Sequence, residues 1–523
     1  MKQIPLGVAA ATPCLLANWF SAICVVAFLI TISASAVAAT QTDEKKLNPT
    51  EKWVVTQVMA GEIAIVNSQF PDDKDRKLSA HFLEDLLMGT LPGFKPHRNG
   101  VRVNGAIFDE PINLTGEQIT CMDVLLSNCQ FNMSVTFARA TFAGNVSFNN
   151  SAFIKDTTFN STNIRGDASF EATSFKDQLD FDSAAIGGEF RAREAGFQRA
   201  AFSNTKVGGS ATFDHAVFEG PVYFTGADFL GGFYALDAKF QSKKAGANFS
   251  GMKVGRIAIF DYAVFEGWVD FVGADFGEFL ARNARFPNKQ EVADFSSMRV
   301  GHAAVFDSAV FGGRVEFSYA NFARLDLVSV SWPEIPGQLR MEGMTYKTIR
   351  AVLENEPASH EALLKLANQS VYSADTYHNL EEFFLRGGYH DDADRAFLAG
   401  KLRERQEHLH GLAWFGSLAA YVLTSYGRHT ERLLVLCVMF VALGCMIFSP
   451  KKMEAQKRED TRRVYNRFWY SLGLFLPFVD LQSNKLWKPK INQTFLRNYM
   501  RVHILLGWIL VPLVLAAVTG LIK

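Results

Sequence analysis

The side chains able to do chemistry are few, and their spacing does not gather them. His408-Leu-His410 puts two imidazoles close together, but neighbours at i and i+2 of a helix face apart, so they read as solvated histidines rather than metal ligands. Asp391, Asp392 and Asp394 open a helical stretch, where carboxylates satisfy free amides and favour the macrodipole. Asp180, Asp182, Glu266, Asp270 and Glu316 fall on a long repetitive stretch and, if paired across a groove, would supply the acid and base of glycan cleavage. Nothing in their spacing pairs them, and solvated corner positions are the default. There is no nucleophile elbow, Walker loop, dinucleotide fingerprint or H-E-x-x-H. The six cysteines, Cys14, Cys24, Cys121, Cys129, Cys437 and Cys445, have no metal-ligand spacing. Neither catalysis nor a cofactor is therefore expected.

The elements that would position such groups are far more legible. The chain has 523 residues, 53 basic and 53 acidic, which removes any charge argument for nucleic acid. It carries 46 phenylalanines against 13 tyrosines, so one aromatic is used repetitively. Phe131, Phe142, Phe153, Ile164, Phe175, Ile186 and Phe197 recur every eleven residues, and Phe137, Phe148, Phe159, Phe170 and Phe181 interleave with them. A spacing that alternates five and six fits neither a helix face nor a plain strand, but it fits a parallel coil with short faces and tight corners. The same rhythm continues through Phe213, Phe224, Phe260, Phe271, Phe306 and Phe317, the expected core ladder. About ten coils at about 4.8 Å would give a rod of roughly 50 Å. Whole blocks also recur: Ala200 to Val207 returns as Ala247 to Val254 and as Ala293 to Val300, two coils apart. Extra residues at Gln241 to Gly246 and Pro287 to Val292 read as corner insertions protruding from one edge, with Lys243, Lys244 and Lys289 as candidate partner-binding positions.

An alanine stands two places before many of the phenylalanines of this stretch, as in Ala140 and Phe142, Ala168 and Phe170, Ala211 and Phe213, Ala258 and Phe260, and Ala304 and Phe306. This pattern resembles the pentapeptide-repeat family, which implies a right-handed quadrilateral β-helix over residues 106–331. The resemblance further implies a non-catalytic rod. Proteins of that family often associate end to end, so a homodimer is the assembly it suggests, although the C-terminal neck would block one end of the rod.

Around the rod, residues 1–39 read as a signal peptide, with Ala36-Val37-Ala38 as an A-x-A site, or as an uncleaved N-terminal anchor. Residues 40–105 read as a helical cap over the first coil, whose edge would otherwise stand open. Residues 332–410 read as a helical neck, and Asn379 to Phe397 looks like a single tetratricopeptide-type hairpin. Residues 411–523 read as a membrane region: an interfacial helix at 411–426, spans at 433–448 and 502–522, and a loop at 450–501. That loop holds twelve basic residues against four acidic ones, which places it in the cytoplasm and the rod outside, in agreement with the N-terminal signal.

Within the loop, the aromatic run from Phe468 to Leu481 between two spans is similar in order to two-transmembrane ion channels. The channel filter motif is replaced here by Leu476-Pro477-Phe478-Val479-Asp480, so a carbonyl-lined ion site does not carry over. The expected architecture is a β solenoid followed by an α-helical neck and α-helical transmembrane region. The expected role is a scaffold on the outer side of the bacterial inner membrane, binding an envelope protein or a glycan. A degenerate channel or sensor and a glycan-active enzyme are its rivals.

Overall fold

The computed structural model describes residues 47–352, 356–456, 464–479, 481 and 483–519. The N-terminal signal or anchor therefore lies outside the described residues, as does Asp480.

Before the rod, helix α1 (Pro49–Ala60) starts at a capping box in which Asn48 and Glu51 exchange side-chain and backbone bonds, and it stops at Gly61 in the left-handed region. Helix α2 (Ala80–Met88) is capped by Ser79 and buries Phe82, Leu83, Leu86 and Leu87. Between them Ala64–Ile65 pairs in parallel with Val103 and Asn104, which in turn pair with Leu126 and Ser127. The first turn of the sheet is thus covered by chain that also extends it.

The rod is a parallel β-solenoid of two long sheets built mostly from two-residue strands. Such short faces need a corner every few residues, and the backbone supplies it at Arg139, Asn150, Ser161, Ala172 and Ser183, all with φ between 52° and 60°. Each stands two places after an inward phenylalanine. A non-glycine residue in that region is strained, by about 1–2 kcal/mol, and burial of the preceding ring offsets the cost.

Inside, one ladder runs from Phe108 through Phe131, Phe153, Phe175, Phe197, Phe218, Phe240, Phe265, Phe286 and Phe311 to Trp332. Successive rings lie parallel, with centroids 4.5–5.6 Å apart. Phe137, Phe159, Phe181, Phe202, Phe224, Phe249, Phe271, Phe295 and Phe317 form a second stack of the same kind. Phe148, Phe170, Phe213, Phe260 and Phe306 belong to a third column, which is built differently.

In this third column the strand register aligns Ala168 with Phe190, Phe190 with Ala211, Ala211 with Phe233, Phe233 with Ala258, Ala258 with Phe279 and Phe279 with Ala304. Ala-x-Phe in one coil therefore meets Phe-x-Ala in the next, as Phe190-x-Ala192, Phe233-x-Ala235 and Phe279-x-Ala281. Large and small side chains alternate at both positions, so the narrow interior is filled without two rings competing for one level. The rings in this stretch are tilted by 32–41°, whereas Phe148 and Phe170, in uniform coils, lie 12° apart. This alternation is the physical origin of the two-coil block repeat.

The coil does not end at residue 331. Leu339–Arg340 pairs with Val315 and Glu316, and Thr345–Arg350 pairs with Asn321 to Asp326. Met341 and Tyr346 are buried in the positions that Phe317 and Phe322 hold one coil earlier, and Leu339, Met344 and Ile349 are buried beside them. The expected boundary rested on the phenylalanine rhythm, and these side chains fill the same space without it. Helices α3 (Glu356–Gln369), α4 (Ala374–Arg386) and α5 (His390–Glu407) follow. Helix α4 lies over the last coil, where Thr376, Asn379 and Arg386 donate to the backbone carbonyls of Met341, Met344 and Tyr346 at 3.2, 2.8 and 3.0 Å. Those are edge acceptors that another coil would otherwise take.

Beyond the neck come α6 (Gly411–Thr424), α7 (Glu431–Ile447), α8 (Arg467–Phe475) and α9 (Thr494–Val518). Among the described residues one helix, over Thr494–Ala517, is long and apolar enough to cross a membrane. The expected span at 433–448 is the 17-residue α7, about 26 Å long, at the short limit for a hydrocarbon core of about 30 Å, a mismatch that local thinning of the bilayer accommodates. The other expected span begins earlier than residue 502, at Thr494.

Candidate functional site

The five rod carboxylates are engaged in contacts along the coil. Asp182 accepts from the Ser203 amide at 2.7 Å, and Asp180 accepts from the Asp182 amide at 2.8 Å. Asp270 accepts from Val272 N at 2.7 Å, and Glu316 lies between Arg314 and Arg340, at 2.5 and 3.8 Å. Glu266 stands 4.0 Å from Lys243. Each has a structural partner on its own or an adjoining coil. Among the described residues no cluster of three His, Cys, Asp or Glu side chains is placed to hold a metal ion.

One acidic column carries a measurable consequence. Asn248, Asp270, Asp294 and Glu316 stand above one another in register. Burial, reinforced by the charge of Asp294, pushes the Asp270 carboxyl above its ordinary range, against the hydrogen bond from Val272 that lowers it. A raised folded-state value means that its contribution to stability is fullest below the unfolded value and is lost as pH rises through the folded one. Asn248 makes the equivalent bond without a charge, to the Ser250 amide at 2.8 Å. Asp270→Asn is therefore expected to raise the urea midpoint at pH 7, with the gain closing as pH falls through the carboxylate range. A variant less stable than the parent by the same amount at pH 7 and pH 4 would show that the charge is not the cost.

The corner insertions are ordered and share one corner. Gln241 to Gly246 follows Phe240, Pro287 to Glu291 follows Phe286, and Trp332 to Gln338 follows Ser331, on alternate coils. The intervening corners are short and rich in glycine, at Gly267 and at Gly312 and Gly313. A Cβ at Gly267 would stand 2.1 Å from Ser242 O, and one at Gly313 would stand 2.3 Å from Glu291 O. The long loops thus drape over the glycine corners rather than projecting freely, as the spacing alone had suggested. Their lysines still face out: Lys243 is 74% exposed, and Lys244 and Lys289 are exposed as well.

A family model described as pentapeptide repeats (9 copies) matches residues 202–242. The rod is similar to that repeat family in sequence, and its parallel coil supports the same reading. No curated protein and no solved structure matches the chain. The likeness to two-transmembrane channels has no support from these comparisons.

Below the pentapeptide-like rod, the neck is bound to the apolar helices through a joint that no sequence pattern announces. Arg428, between α6 and α7, forms ion pairs with Glu381 of α4 and, at 3.0 Å, with Asp394 of α5. Its guanidinium also lies 4.5 Å from the centroid of the Phe397 ring. Arg405 of α5 adds a hydrogen bond to the Tyr426 hydroxyl at 3.3 Å.

Helix α8 wedges between α7 and α9. Ser471 donates to Val441 O at 2.8 Å, and His503 Nε2 lies 3.2 Å from both Ser471 oxygens. Gly444 and Gly507 permit the approach, since a Cβ would stand 2.1 Å from Ser471 Oγ at the first and 2.0 Å from Phe475 O at the second. Leu476 ends α8, as expected of a helix meeting Pro477. Phe478 then turns onto Trp508 with ring centroids 5.8 Å apart, and Phe478 and Val479 are both largely exposed.

Cys121 and Cys129 are free, buried thiols, raised by burial to about 11 and about 12. They stay protonated and pack as small apolar groups.

Proposed function

We propose that this chain is a membrane-anchored scaffold of the bacterial envelope, its repeat rod on the extracytoplasmic side. The observation that carries the reading is the continuity of the structure. A rod covered at both ends is joined through a charged clamp to a bundle whose outer faces are apolar, with Leu434, Val435, Val438 and Met446 of α7 and Trp508 of α9 largely exposed. Faces of that kind are stable only against lipid or another apolar surface. The covered ends remove the coil edges as docking sites, which leaves the long sides of the rod and the insertion corner to meet a partner.

The excess of basic residues between α7 and α9 supports a cytoplasmic loop and hence an exported rod. An envelope protein or an anionic glycan is the class of partner that the exposed Lys243, Lys244 and Lys289 suit on an exported rod. Reversing all three lysines to glutamate leaves the backbone of the corner untouched. Photo-crosslinking to envelope material from the insertion corner is expected to fall by about tenfold or more, while protease resistance of the rod stays unchanged, on the basis of about 1 kcal/mol per exposed charge pair. Crosslinking that survives the reversal would remove the corner as the partner site.

Conduction is a second reading, favoured by one observation, the position of the short α8 between the longer α7 and α9. It would show itself as salt-dependent current across a bilayer holding the full chain.

A further inference from the structure

The membrane region contains a groove that the scaffold reading does not use. It has a volume of about 750 Å³ and runs between α7, α8 and α9, with Leu434, Val438, Met446, Leu472 and Val514 among its apolar walls. From Met446 to Leu434 along α7 it extends about 18 Å, at about 1.5 Å per residue. Arg467, the first residue of α8, is the one charged side chain on its lining, and it stands toward the Met446 end, since Tyr465 just before α8 donates to Phe448 O while Phe475 at the far end of α8 packs in one cluster with Leu433. That is the end from which the basic loop leaves, with Lys451 and Lys452 directly after α7.

We infer that this groove binds a phospholipid with an anionic headgroup, an acyl chain lying along α7 and the phosphate against Arg467. The inference rests on the membrane reading above. Within a bilayer an apolar groove is filled by acyl chains whatever their headgroup, because lipid tails are as apolar as the walls. Preference among lipids must then come from the polar end, where an exposed guanidinium is a planar, bidentate partner for a phosphate but is repelled by the ammonium of a zwitterionic headgroup. A neutral peptide or second helix would gain nothing from Arg467 at the mouth, and the charge complementarity therefore selects the anionic lipid.

The test uses the full chain, purified in detergent and given equal amounts of phosphatidylglycerol and phosphatidylcholine with identical chains, with adducts read by native mass spectrometry. Phosphatidylglycerol is expected to be retained about fivefold over phosphatidylcholine, the ratio one cation near an anionic group supplies. Arg467→Ala should bring the two lipids to parity, Arg467→Lys should keep part of the preference, and Leu472→Trp, which fills the groove, should lower retention of both. Parity in the parent chain, or an undiminished preference in Arg467→Ala, would overturn the inference. So would a dimer in the parent that Leu472→Trp dissolves, since a second copy would then be the occupant. Alkaline carbonate extraction separates the two levels of failure. A chain released from membranes removes the membrane reading itself, whereas a chain that stays in the membrane yet shows no lipid preference removes only this site.

Discussion

Phe249→Ala is expected to cost the rod about 3–5 kcal/mol. The ring is fully buried and stacks between Phe224 and Phe271, at 5.3 and 4.7 Å with interplanar angles of 4° and 7°. It also meets the edges of Phe233, Phe240 and Phe260. In a globular core the neighbours would move in to fill part of the gap. Here they cannot, because hydrogen bonds from coil to coil fix each level, as where Phe249 N donates to Asp270 O at 2.7 Å and Phe224 N donates to Asn248 O at 2.7 Å. The cavity therefore stays, and the cost belongs near the top of the range. Urea denaturation followed through the rod tryptophans Trp268 and Trp332 would measure it, with Phe249→Leu as a volume-sparing control that should lose less than about 1.5 kcal/mol. An alanine variant within about 1 kcal/mol of the parent would mean that the ladder is not what holds the coils.

Arg428→Ala is expected to have the second largest effect, about 3 kcal/mol at the joint between neck and apolar helices. Glu381 has only 12% of its side chain exposed, and removing the arginine leaves that carboxylate buried beside Asp394 without its cation. Phe397 loses the guanidinium above its ring at the same time. Hydrogen exchange would report the change as lost protection in α4, α5 and the α6–α7 junction, with the rod coils unaffected. Glu381→Gln in the same background should recover much of the loss, because it removes the uncompensated charge while keeping the side-chain shape. Loss of protection spreading into the coils, or no change at all, would show that the clamp is not an independent joint.

Most of the rod was legible because its physics is periodic. An inward ring every five or six residues can only be satisfied by a stacked coil, so Phe137, Phe148 and Phe159 were enough to identify the solenoid. The inverted pairs, such as Phe190-x-Ala192, carried a signal that the regular Ala-x-Phe template obscures; the two-coil block repeat was its visible trace. The end of the rod was read too early because Met341 and Tyr346 do phenylalanine's work without its rhythm. Arg428 and Glu381, 47 positions apart, lie on different elements with nothing periodic between them, so their pairing needed the fold. The same is true of Ser471 and His503, whose contact depends on glycines two helices apart. In the apolar region composition marks both α7 and α9, and the 17 residues of α7 put it at the short limit for crossing while α9 has full spanning length.

The most direct test of the account is topology. A reporter enzyme active only outside the cytoplasm would be inserted at Lys243, in the rod corner, and in a second chain at Lys452, just after α7. Activity at Lys243 with silence at Lys452 is the predicted result, placing the rod outside and the basic loop within. Activity at Lys452 alone would contradict it, turning the anchor over and leaving the rod in the cytoplasm.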